Sequence, residues 1–178
     1  MLKKILSRDA CAACRFCCSF RRQSLWETPL FEKEAAEKLR EQYPEARFVE
    51  AAEPFGNAKT GRTFMKMDYT GLYQTEDPQE EVLCFFNRGG CILPPEDKPF
   101  ECKIWPLRVM RKEGRLVIAL SPACPVVSKV PPDKVRDLVR SEIGAAIWTH
   151  AADHPENIVD YLPGYPVIAE QGEAGASR

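Results

Sequence analysis

Histidine is scarce in this chain of 178 residues, with His150 and His154 its only two. They stand four apart, as a metal-binding or acid/base pair on a helix would. However, the run His150-Ala151-Ala152-Asp153-His154 lacks the glutamate of the zinc-protease motif, and Pro155 disfavours helix at the residue before it. The pair therefore reads as structural. Long apolar runs are also missing: no stretch approaches the roughly 20 apolar residues that span a bilayer. The opening segment, Met1 to Asp9, lacks the apolar core of a secretory signal, which points to a cytoplasmic protein without a membrane partner. Neither sign of charge dominates, since 25 basic residues face 26 acidic ones for a formal net charge of -1. That balance exerts no global pull toward nucleic acid. There is no phosphate loop, dinucleotide fingerprint, activated serine, internal repeat or low-complexity tract.

What is present is the material of an ordinary globular chain, 44% apolar and 29% charged. The length suits one domain, placed at residues 1–169, followed by a small, polar, flexible tail at 170–178. Thr28 and Pro29 open a helix expected from Phe31 to about Tyr43, with Leu30, Ala35, Leu39 and Tyr43 inward and Pro44 at its end. Turn residues at Pro54-Phe55-Gly56-Asn57 precede a short strand containing Phe64, Met65 and Met67. The run Val82 to Phe86 reads as a strand. Asn87-Arg88-Gly89-Gly90 then reads as a turn and Cys91-Ile92-Leu93 as a return, a hairpin that would bring Cys84 toward Cys91. A second hairpin is expected from Leu107–Met110 and Leu116–Leu120, joined by Arg111 to Arg115, carrying Cys102 and Cys124 to one end of a sheet. After Pro131-Pro132-Asp133, helical spacing of Val135, Leu138, Val139, Ile143, Ala146 and Ile147 marks a core helix. Trp26, Trp105 and Trp148 are assigned to the core.

Cysteine is the residue in unusual supply. Four of eight fall in one run, Cys11, Cys14, Cys17 and Cys18, and four follow at Cys84, Cys91, Cys102 and Cys124. Adjacent cysteines bridge only with strain, and no export signal accompanies them, so disulfides are the weaker reading. In a C-x-x-C-x-x-C run three thiols can converge on one centre and take a fourth ligand from a distant cysteine followed by proline, as Cys124 is by Pro125. This favours a [4Fe-4S] cluster, with zinc as the alternative. Side chains of neighbours such as Cys17 and Cys18 tend to diverge, which divides the set into Cys11, Cys14, Cys17 and Cys124 against Cys18, Cys84, Cys91 and Cys102. Arg15, Arg21, Arg22, Lys103 and Arg108, close in sequence to these ligands, would offset thiolate charge. The basic, aromatic stretch from Arg15 to Trp26 has the composition of an RNA contact, but the thiolates explain its charge more directly.

The run Cys11 to Cys18, the segment Gly89-Gly90-Cys91-Ile92-Leu93-Pro94 and the segment Lys98 to Pro106 resemble the CxxCxxCC, or YkgJ-type, cysteine-cluster family of zinc- or iron-chelating proteins. The resemblance covers about residues 8–128. It implies eight metal-liganding cysteines, and a related cluster in flagellin lysine N-methylases suggests a protein-modifying enzyme. Arg15, where a glycine is common, and Trp105, where phenylalanine is commoner, depart from the pattern. The expected fold is thus α+β: a small single domain with short β-hairpins and two main helices, organised around a Cys-ligated metal centre. The leading functional expectation is an iron–sulfur protein supporting redox chemistry or electron transfer with a protein partner. A zinc-stabilised interaction module is the second expectation, and the modifying enzyme the third.

Overall fold

The computed structural model describes Leu2, residues 4–51 and residues 61–172. The turn expected at Pro54-Phe55-Gly56-Asn57 and residues 173–178 of the expected tail lie outside the described residues. In chain order the elements are α1 (Arg8–Cys14), β1 (Ser19–Phe20), β2 (Phe31–Glu32), α2 (Lys33–Gln42), β3 (Phe48–Glu50), β4 (Phe64–Met67), β5 (Val82–Leu83), α3 (Phe100–Ile104), β6 (Leu107–Lys112), β7 (Arg115–Leu120), α4 (Pro132–Leu138), α5 (Gly144–Asp153), β8 (Val159–Asp160) and β9 (Val167–Glu170).

The hairpin expected between Leu107 and Leu120 is the centre of the larger sheet. Its strands β6 and β7 pair antiparallel from Leu107 opposite Leu120 to Lys112 opposite Arg115. Glu113 and Gly114, at φ 50° and 79°, form the two-residue turn, a geometry whose twist matches that of the strands it joins. Strands β8 and β9 flank the pair in the order β8-β6-β7-β9, with β8 parallel to β6. Side chains alternate across this sheet with period 2. Leu107, Val109, Ile118 and Leu120 face α4 and α5, where Val135, Leu138, Ile147 and Ala151 are buried, whereas Met110, Val117 and Ala119 face Val159 and Tyr161.

A second core surrounds the sheet β2-β4-β3. Phe31, Phe48, Met65, Met67 and Phe86 are buried there against Ala36 and Leu39 of α2. The expected helix start at Phe31 gives way to strand because Phe31 pairs with Met65 across β2 and β4, so α2 begins only at Lys33. Ala36 therefore takes the buried place assigned to Ala35.

Three further expectations are corrected. The strand from Val82 to Phe86 shortens to β5, which pairs with β1, and the hairpin toward Cys91 is reduced to one isolated bridge between Asn87 and Cys91. The helix after Pro131 runs on to Asp153 through a π-turn at Val139–Ile143, in which the Gly144 amide donates to the Val139 carbonyl. This resets the helical phase, leaving Ala146 exposed while Ile143 and Ile147 stay buried. Trp26 is 42% exposed, its ring 5.5 Å from the Arg108 guanidinium, rather than in the core.

Candidate functional site

The first four cysteines are set by two consecutive turns of different pitch. Ser7 caps α1 by accepting from the Ala10 amide at 3.1 Å, and Cys11 and Cys14 follow at i and i+3 on one side of that helix. Arg15 ends α1 in the left-handed region at φ 56°, where its amide donates to the Cys11 carbonyl. A 3-10 turn over Phe16–Cys18 then tightens the chain. The expected divergence of Cys17 and Cys18 is not seen, for this turn holds their Sγ atoms 3.9 Å apart.

The later cysteines reach this segment through backbone pairing. The Cys84 amide donates to the Cys18 carbonyl at 2.6 Å, continuing the β1–β5 ladder. Gly90, at φ 119°, lets the following loop lie against α1, where a Cβ would stand 3.4 Å from that of Ala12. Asn87 is buried, and its Oδ1 accepts from the Gly90 amide at 3.2 Å. Its side-chain NH2 is thereby left to donate to Cys18. Cys124 is buried, and its Sγ accepts from the Val127 amide at 3.5 Å.

Charge is shared unevenly among these thiols. A hydrogen bond from Cys17 pulls Cys18 down to about 7 against its burial, helped by Asn87 and by the positive charge of Lys98. Cys17 moves the opposite way, held protonated by that same bond and by burial. Burial pushes Cys84 up to about 12, against a hydrogen bond from the Phe86 backbone. The buried Tyr69 hydroxyl beside Cys84 is raised as well, first by burial and then by that thiol. Cys11 is raised by burial and by Cys124, Cys14 and Cys18. Burial raises Cys102, followed by Glu101 and then by Cys18, Cys84 and Cys91. All eight thiols thus belong to one electrostatically linked neighbourhood.

That neighbourhood does not have the geometry of a metal centre. Among the described residues no group of three or more His, Cys, Asp or Glu side chains is positioned to hold a metal ion. Cys17 and Cys18 engage each other, and Cys124 is bonded to a backbone amide. The expected Cys-ligated centre is therefore corrected: these residues do not fit a [4Fe-4S] cluster or zinc. The α+β class stands without a metal to organise it, and the iron–sulfur, electron-transfer and zinc-module readings fall with the centre.

Sequence reasoning missed two carboxylates near the histidines. Both carboxyl oxygens of Glu101 are buried without a hydrogen-bonding partner from any other described residue, and burial raises the group to about 7 despite Arg108 and His154. Glu156 is fully buried, with Oε1 2.9 Å from His154 Nδ1 and 3.7 Å from Arg62. His150 stacks between Phe100 and His154, and burial lowers it to about 4. The structural reading of the histidine pair agrees with this packing. No pattern in the sequence signalled Glu101 or Glu156.

No protein-family model, no curated protein and no solved structure matches the chain. The resemblance to the CxxCxxCC family is accordingly corrected, and the link to flagellin lysine N-methylases goes with it. No helix among the described residues is long and apolar enough to cross a membrane.

Proposed function

We propose that this chain is a thiol–disulfide exchange protein, with Cys18 the attacking thiolate. Cys11, Cys14, Cys17, Cys84, Cys91, Cys102 and Cys124 form the thiol environment in which it works. The observation that carries this reading is the Cys17–Cys18 pair at 3.9 Å, in which one sulfur holds its proton and the other sheds it near neutrality. A thiol with a pKa near the ambient pH is both ionised and nucleophilic, which is the optimum for attack on a disulfide. Residues 1–169 are taken as the working unit and a disulfide-bearing protein as its partner, in a cytoplasmic setting that keeps thiols reduced.

The test is alkylation of the full-length protein with iodoacetamide across pH 5–10, each cysteine being followed by mass spectrometry. Cys18 should be half-reactive near pH 7 and label at least tenfold faster than Cys17 or Cys84 at that pH. In Cys17→Ala no side-chain donor remains beside Cys18, and the Cys18 midpoint should move back toward 9.0, the ordinary thiol value. Labelling of Cys18 no faster than its neighbours at pH 7 sinks the reading.

A further inference from the structure

We infer that Cys84, across the strand from Cys18, is the resolving cysteine that releases a disulfide partner, and that adjacent Cys17 is not. This inference rests on the exchange reading above and names the second reacting atom of the same site. The β1–β5 register ends with Ser19 opposite Leu83, and Cys18 and Cys84 are the residues immediately beyond that pair on the two segments. Their backbones are already joined by the 2.6 Å bond from the Cys84 amide to the Cys18 carbonyl. Segments joined by such a backbone bond run about 4.7–4.9 Å apart, within the roughly 4.4–6.8 Å of Cα separation that a disulfide spans. Consecutive residues are only about 3.8 Å apart across a trans peptide, below that range, so a Cys17–Cys18 bridge closes a distorted ring. The close sulfur of Cys17 therefore serves as a hydrogen-bond donor to Cys18, which makes it a positioning residue.

The exchange balances without any further reactant. The Cys18 thiolate attacks one sulfur of the partner's disulfide, that S–S bond breaks, and the other partner sulfur leaves as a thiolate. The Cys84 thiol then attacks Cys18 Sγ in the mixed disulfide while its proton passes to the departing partner sulfur. The partner ends as one thiolate and one thiol, reduced by two electrons, and this chain as a Cys18–Cys84 disulfide, oxidised by two.

The experiment treats the full chain and three variants, Cys17→Ser, Cys18→Ser and Cys84→Ser, with oxidised glutathione under anaerobic conditions. Products are mapped by peptide mass spectrometry after acid quenching. The parent chain should give a Cys18–Cys84 peptide pair with less than a tenth of Cys18 trapped as mixed disulfide. Cys84→Ser should trap glutathione on most of Cys18, a gain of tenfold or more, and Cys17→Ser should still form the Cys18–Cys84 bridge. A Cys17–Cys18 bridge in the parent, or efficient release in Cys84→Ser, overturns the assignment while leaving Cys18 as nucleophile. Absence of both a glutathione adduct and any disulfide at Cys18 in Cys84→Ser overturns the exchange reading itself. Circular dichroism of each variant establishes that it is folded, and oxidation of the unaltered parent keeps the bridge assignment testable should a variant fail to fold.

Discussion

Single residues set the electrostatics of this molecule, and Glu101 is the clearest case. Its carboxyl goes from 4.5 in the unfolded chain to about 7 in the fold. Below pH 4.5 it is protonated in both states and contributes nothing to pH dependence. Between 4.5 and about 7 the unfolded chain ionises it while the folded chain retains the proton, so stability falls as pH rises, and above 7 the loss is complete. Arg108, His154 and Glu156 bear on the same group, yet burial is its largest cause. Glu101→Gln should thus gain on the order of 3 kcal/mol over the parent at pH 8 and almost nothing at pH 4, read from urea denaturation at both values. Arg15 carries a different cost, since a side chain at φ 56° crowds the backbone. Arg15→Gly should raise stability by about 1 kcal/mol in the same measurement. An unchanged or lowered denaturation midpoint would show that the arginine side chain contributes more than the backbone loses.

At the level of elements, the sequence was most legible where one period ran uninterrupted. The β6–β7 hairpin follows from alternation around a Glu-Gly turn, and the buried stripe Val135, Leu138, Val139, Ile143 and Ile147 follows from helical spacing. The π-turn between α4 and α5 was not legible, because one inserted residue barely disturbs a pattern read over two turns. Gly144 was its only letter: a Cβ there would stand 2.5 Å from the Val139 carbonyl oxygen. Gly144→Ala should cost about 1–3 kcal/mol in thermal or urea unfolding, where an ordinary helical glycine replaced by alanine would gain stability. The geometry of the eight cysteines was not legible. Whether Cys17 and Cys18 meet depends on the pitch of a 3-10 turn, and the placement of Cys84 depends on its pairing with a segment more than sixty residues earlier.

Across the whole molecule, the thiol site lies where the two cores meet the α1 segment. Phe86, two residues beyond Cys84, is 1% exposed and packs against Phe31, Phe48, Tyr43 and Phe85. Phe86→Ala should cost about 3–5 kcal/mol through the cavity it leaves. It should also loosen the loop bearing Asn87, so that Cys18 alkylation at pH 7 slows in the folded variant. A Cys18 rate equal to that of the parent would separate the site from the aromatic core. The neighbourhood is completed only by Cys124, which enters it after the β6–β7 hairpin has returned the chain. During synthesis at about 5–20 residues per second, Cys11 to Cys18 wait roughly 5–20 s after emerging before Cys124 follows them. Throughout that interval the four thiols of the run stand without the buried thiol that later joins them. The chain's yield in a cell should therefore depend on the redox state met at the ribosome.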